Sequence, residues 1–163
     1  MTQHAPDPPA IWAAMRTLVQ ETGVHVEGGG LPFGAAIVTP DGHILAIGYN
    51  RVSRDHDPTA HAEIMAIRTA CRQLRRTALD DHLLLATGEP CGLCAAAARC
   101  SGIAGIYYAL DRDEVAAYGF DYRESYRSIP KQLDRAGIRV HRLEPTDRHA
   151  PFEAFSSRHA GGW

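Results

Sequence analysis

The chain is predicted to fold as an α/β domain, with helices layered on a sheet, and three observations carry that prediction. Its 163 residues suit one domain that can bury a core without extra staples. Apolar residues recur at helical intervals near the N-terminus and again after residue 61. Between and beyond those stretches lie short apolar runs of strand length, so helices and strands alternate along the chain.

In chain order, Met1 to Ala10 contains three prolines and no apolar run, so residues 1–8 read as a disordered tail and not a secretion signal. From Pro9, the spacing of Ile11, Trp12, Met15, Leu18 and Val19 predicts an amphipathic helix over about 9–22 that covers one face of the sheet. Gly28-Gly29-Gly30 lacks the Gly-Lys-Ser/Thr ending of a phosphate loop and reads as a flexible rim. Phe33 to Val38, the Asp41-Gly42 turn and Ile44 to Tyr49 form a hairpin. Asp57-Pro58-Thr59 supplies a capping side chain and a proline suited to a first helical turn. Ile64, Met65, Ile67, Ala70, Cys71 and Leu74 then follow at helical spacing, which puts His61 and Glu63 in the first turns of a helix. Leu83 to Thr87 is continuously apolar, as a strand buried on both faces would be. Ala95 to Arg99 has high helix propensity, so Cys91 and Cys94 open a second helix with both thiols on one face. Ile106 to Ala109 is the next strand, Arg112 to Tyr118 a short helix, and Ile138 to Leu143 a half-buried or edge strand whose direction the pattern leaves open. The tail from Pro151, with Phe152, Phe155 and Trp163, reads as a terminal helix and an aromatic end.

Composition narrows the function classes. An apolar content of 45% with 22% charged residues is that of a soluble globular protein, and no run approaches the roughly 18 apolar residues of a membrane span. The expected location is the cytoplasm, with the thiols reduced. Four cysteines, two of them in a Cys-x-x-Cys, point to metal and not to a disulfide framework. Seventeen Lys plus Arg against nineteen Asp plus Glu give a net charge of −2, which argues against a nucleic-acid partner. The local exception is Arg68, Arg72, Arg75 and Arg76, whose spacing places them on one side of a helix, read as a solvated face.

The chemistry is concentrated in Thr59-Ala60-His61-Ala62-Glu63 and Glu89-Pro90-Cys91-Gly92-Leu93-Cys94. His61, Cys91 and Cys94 make a three-ligand set for zinc, and three protein ligands leave tetrahedral zinc one open position. A structural zinc site would want a fourth. Cys100 falls around the back of its helix and Cys71 lies about 15 Å of helix beyond His61, so both read as core packing. A helix N-terminus and a metal both lower a thiol pKa, and both act on Cys91 and Cys94. Glu63 is about 200° around the helix from His61, yet near a helix start it can lean over the metal. A carboxylate beside zinc-activated water can take its proton and hand it to a leaving amine, which is hydrolytic deamination.

His-x-Glu followed by Pro-Cys-x-x-Cys is the signature of zinc deaminases. With Leu-Pro-Phe-Gly-Ala at 31–35, Gly-Tyr-Asn at 48–50, Asp-Pro-Thr-Ala-His-Ala-Glu at 57–63 and Gly119-Phe120-Asp121, the chain resembles the cytidine-deaminase-like superfamily, and within it the bacterial guanine deaminases and related free-base deaminases. The likeness runs from about Leu31 to the C-terminus. It implies a three-layer α-β-α fold with a mixed five-stranded sheet, so that residues 1–163 form one zinc-dependent deaminase domain acting as a homodimer. It also implies that residues from about 147 to 163 contact the partner subunit, that Glu63 shuttles protons, that Asn50 hydrogen-bonds the base, and that Phe33 walls the site with His61 stacking on the ring. Ala62, Glu89, Asp121, Tyr122 and Trp163 complete the expected substrate contacts. Two positions depart from the family pattern: Tyr122 stands where guanine deaminases have a second acid, and Trp163 where they have a terminal tyrosine. Lowered guanine preference follows as an expectation.

The leading function is therefore a zinc hydrolase that removes ammonia from a free amino-heterocycle such as a guanine-like purine, cytosine or an aminotriazine. Deamination of a nucleoside or of adenosine in transfer RNA is the alternative. A zinc-stabilised binding module is the non-enzyme reading, and it leaves Glu63 without a purpose.

Overall fold

Five strands form one sheet: β1 (Gly34–Val38), β2 (Ile44–Tyr49), β3 (Leu83–Gly88), β4 (Gly105–Leu110) and β5 (Arg139–Arg142), in the order β2-β1-β3-β4-β5. The structure is a computed structural model that describes residues 9–126 and 129–159. β1 runs antiparallel to β2 and to β3, whereas β3, β4 and β5 run parallel. The sheet is thus mixed, and the open question of β5 is answered: Val140 pairs with Ile106 and His141 with Tyr107 in a parallel ladder.

Alternation within the strands builds two cores. Ala35, Ile37, Leu84 and Ile106 face α3 (Ala62–Leu74), α4 (Gly92–Cys100) and α6 (Ile129–Arg135), meeting Ala66, Ala70, Ala95, Ala98 and Leu133. Ala36, Val38, Leu85 and Ala109 face the opposite way, onto Ile11, Met15 and Leu18 of α1 (Pro9–Glu27) and Phe152 of α7 (Ala150–Arg158). Helices on both faces of the sheet make three layers. The remaining elements are α2 (Val52–Asp55), α5 (Arg112–Ala117) and a 3₁₀ turn at Arg123–Tyr126. Among the described residues no helix is long and apolar enough to cross a membrane.

Several boundaries differ from expectation for identifiable reasons. α1 continues to Glu27 because Val26 is still buried, and Arg158 Nη1 of α7 donates to the terminal carbonyls of Val26 (3.2 Å) and Glu27 (2.6 Å). α7 therefore packs on α1 of the same chain. α3 starts at Ala62, later than Pro58: the Asp57 carboxylate is spent on the Thr59 N–H (2.8 Å) and hydroxyl (2.6 Å), which makes 57–60 a turn. α3 ends at Arg75, whose φ of 54° is left-handed, so Arg75 and Arg76 leave the expected arginine face. Arg68 lies 3.5 Å from Asp57 and Arg76 pairs with Asp81, so two of its four charges are partly neutralised. Cys100 is exposed, not core, and Cys71 is half-buried beside the Thr77 carbonyl. α6, with Pro130 in its first turn, had no counterpart in the sequence reading. The proposed tail at 1–8 and Trp163 lie outside the described residues.

Candidate active site

The site forms where two helices begin. β3 delivers Glu89, Pro90 and Cys91 at its carboxyl end, and Cys91 is the extended N-cap residue of α4, which places Cys94 in the first turn. His61 is the extended N-cap residue of α3, and Glu63 sits in that helix's first turn. Neither N-cap side chain makes a capping hydrogen bond, so both are free to converge on a ligand. His61 Nδ1 lies 3.5 Å from Cys91 Sγ and 3.4 Å from Cys94 Sγ, and the two sulfurs are 3.6 Å apart. Zinc with bonds of about 2.3 Å to sulfur and 2.0–2.1 Å to nitrogen would set tetrahedral edges of about 3.8 Å and 3.6 Å, so the three atoms fit one face of that tetrahedron. Among the described residues no fourth His, Cys, Asp or Glu joins the cluster.

Electrostatics bind these groups together. The neighbouring Cys94 side chain, followed by His61, brings the Cys91 thiol down to about 4 against the pull of burial, while Cys91 and burial push the Cys94 thiol up. The Cys91 side chain raises His61 above the ordinary histidine value. Glu63 is 8% exposed, and its carboxyl is pushed up to about 7, first by burial and then by Cys91.

Beside the metal ligands is a cavity of about 250 Å³ whose floor holds His61, Glu63 and Cys91. Phe33 and Phe120 form an aromatic wall, with ring centroids 4.9 Å apart and edge to face, and Phe152 backs Phe33 at 5.3 Å. Asn50 also lines the cavity. Its Oδ1 accepts from the Val52 N–H (3.1 Å), which leaves the carboxamide nitrogen without a partner among the described residues. Tyr122 also lines the cavity, but its hydroxyl donates to the Glu89 carbonyl (2.6 Å), so that proton is already spent. Asp121 is gripped by Arg123 at 2.7 Å and 2.9 Å, which holds its carboxyl down at about 2. The Glu89 carboxylate is tied to Arg112, accepting its backbone N–H at 3.0 Å, and borders a second cavity as well as this one.

The structure thus brings together His61, Glu63, Cys91, Cys94, Asn50, Phe33, Glu89, Asp121 and Tyr122. Ala62 does not line the cavity: its side chain is 1% exposed and belongs to the core on the α3 side. Phe120 was overlooked as a wall, although the Gly119-Phe120-Asp121 run contained it. Gly92 was overlooked too: a Cβ there would lie 2.5 Å from the Ser125 carbonyl oxygen, so only glycine between the two thiols admits the 3₁₀ turn over the start of α4.

Residues 11–110 match the family model for the cytidine and deoxycytidylate deaminase zinc-binding region. The chain belongs to this deaminase family. A guanine deaminase of Bacillus subtilis is 40% identical over 133 residues, which cover 82% of this chain and 84% of that protein. A solved structure of NE0047 in complex with 2,6-diaminopurine has a TM-score of 0.81 at 28% identity, covering 100% of this chain and 86% of the other. A tRNA-specific adenosine deaminase of Aquifex aeolicus is 38% identical over 99 residues, 60% of this chain and 65% of that one. As a member of the family, the protein is a zinc-dependent deaminase, and His61, Cys91 and Cys94 are placed to hold the metal.

Proposed function

We propose that this deaminase, a single domain over the whole chain, acts on a free amino-heterocyclic base, foremost a guanine-like purine, and releases ammonia. The observation that carries the reading is the cavity itself. At about 250 Å³ it falls below the roughly 300–1,000 Å³ of pockets for larger ligands, and it opens directly onto Glu63 and the metal ligands. The likeness to the Bacillus subtilis guanine deaminase supports the substrate class, and a cytoplasmic homodimer is part of the same proposal.

In this reading His61, Cys91 and Cys94 hold zinc. When bound, zinc lowers the pKa of water toward about 7 and so supplies the nucleophile. Glu63, whose carboxyl burial pushes up to about 7, would accept a proton from the attacking water and return it to the departing amine. The net change is a C–N bond exchanged for a C–O bond, with ammonia as leaving group. The free carboxamide nitrogen of Asn50 donates to an acceptor on the ring, and Phe33 and Phe120 hold the ring in plane. Tyr122 offers the ring lone pairs and no proton. Asp121, fixed by Arg123, supplies negative charge at the rim.

The test is ammonia release from guanine, cytosine, adenine, their nucleosides and aminotriazines, with Glu63→Gln alongside. We expect at least one free base to be turned over by zinc-loaded protein, and Glu63→Gln to keep zinc yet lose about a hundredfold or more in kcat. Near-normal turnover by that variant removes Glu63 from the mechanism. The Aquifex aeolicus relative favours a second reading, adenosine deamination in transfer RNA. A net charge of −2 and the pairing of Arg76 with Asp81 oppose it.

A further inference from the structure

We propose that Thr87 is the positioning residue for the base-binding wall, an inference that rests on the deaminase reading above. The main-chain ladder between β1 and β3 stops at the pair Ala35 and Ala86. The next N–H, that of Gly34, is taken over by a side chain: Thr87 Oγ1 accepts it at 3.1 Å and donates to the Pro32 carbonyl at 3.2 Å. The hydroxyl is 0% exposed. One buried group therefore fixes the peptide on each side of Phe33 and lets the chain peel off the sheet and arch Phe33 over the cavity. The Phe33 carbonyl in turn accepts the Asn50 N–H at 3.2 Å, so Asn50, which also lines the cavity, hangs from the same clasp.

The other end of the clasp is the strand that carries the metal ligands, since β3 runs on through Gly88 and Glu89 to Cys91. A Cβ at Gly88 would sit 3.4 Å from Phe33 Cε1, which shows how closely the wall lies over that strand end. Thr87 thus sets the spacing between ring wall and metal centre while touching neither substrate nor metal. Only a hydroxyl can accept and donate there at once, and an isosteric Val leaves both backbone groups buried without partners.

The experiment compares zinc-loaded wild type, Thr87→Val and Thr87→Ser. Thr87→Val is expected to keep its zinc and its kcat within about threefold while KM rises about tenfold, the signature of lost binding shared by ground and transition states. Thr87→Ser, which retains the hydroxyl, is expected to restore KM. Hydrogen exchange gives a readout independent of turnover: the Gly34 and Asn50 amides should exchange at least about tenfold faster in Thr87→Val, with Leu84 and Leu85 unchanged. Unchanged exchange at Gly34 and Asn50, or equal KM in Val and Ser variants, overturns the proposal. If Thr87→Val does not fold, Thr87→Cys, a weak donor of similar size, must show the same pattern relative to Thr87→Ser, and its absence overturns the proposal equally. Wild-type turnover in the same assay tests the deaminase reading separately.

Discussion

Replacing Gly48 with Ala should dismantle the metal site from behind. Gly48 lies in β2, and a Cβ there would be 2.3 Å from the Ala66 N, 2.4 Å from the Ala62 carbonyl oxygen and 2.9 Å from the Met65 carbonyl carbon. All three are backbone atoms of α3, so no side chain can swing aside. Ordinary contact needs about 3.5 Å, and the helix must therefore move by about 1 Å. That helix begins at His61 and carries Glu63, whereas Cys91 and Cys94 are held by β3 and α4 and stay behind. Metal–ligand distances tolerate about 0.2 Å, and a 1 Å misplacement of reacting groups costs about a hundredfold. Overpacking of this kind costs about 1–3 kcal/mol, or a fall in Tm of about 2–12 °C for a domain of this length. The assay is zinc content by atomic absorption, Tm by calorimetry and kcat/KM on the best base. Wild-type zinc content together with a Tm within about 1 °C would show that β2 does not press on α3 as described.

Cys94→Ala should reduce zinc to under about a tenth of wild-type occupancy, and because bound thiols must shed protons, zinc retained after dialysis should fall as pH is lowered; full occupancy in the variant removes Cys94 as a ligand. Tyr122→Asp should raise kcat/KM for guanine relative to smaller amino-heterocycles by about 10- to 150-fold, the value of a charge-assisted partner of about 1.5–3 kcal/mol, and an unchanged ratio shows that Tyr122 does not set specificity. Asp111→Ala removes the capping box of α5, in which Asp111 accepts from the Asp113 and Glu114 N–H groups, and should lower stability by about 1 kcal/mol in urea unfolding without changing zinc content. Binding of a transfer-RNA hairpin should be weak and steeply salt-dependent; inosine formation abolished by Arg72→Glu favours the RNA reading instead.

The metal ligands and Glu63 were legible because zinc chemistry fixes both residue type and spacing, and the i, i+3 thiols need only one helix start to meet. α1 was legible because a long amphipathic pattern survives local noise. What escaped notice depended on contacts across the sheet. Asp57 had two competing uses, a helix cap or a local turn with Thr59, and local hydrogen bonding won. The direction of β5 is set by its crossover through α6, a helix of seven residues too short to leave a periodic trace. The roles of Phe120, Gly92 and Thr87 arise from partners 33 to 87 residues away, as with Phe120 on Phe33 and Thr87 on Gly34. No local pattern encodes such pairings.

His61 and Cys91 come from opposite halves of the motif, separated by 30 residues that include all of α3 and β3. A metal held by both is a crosslink that closes that segment into a loop. Treated as any crosslink of this length, closure removes roughly 12 cal/mol/K of chain entropy from the unfolded state, about 3.6 kcal/mol at 25 °C. That is a large share of the 5–15 kcal/mol typical of a whole domain. The ion that serves the chemistry would then also act as a staple between the helix that carries the acid and the strand that ends at the thiols, and the enzyme's working lifetime would follow the metal's residence time.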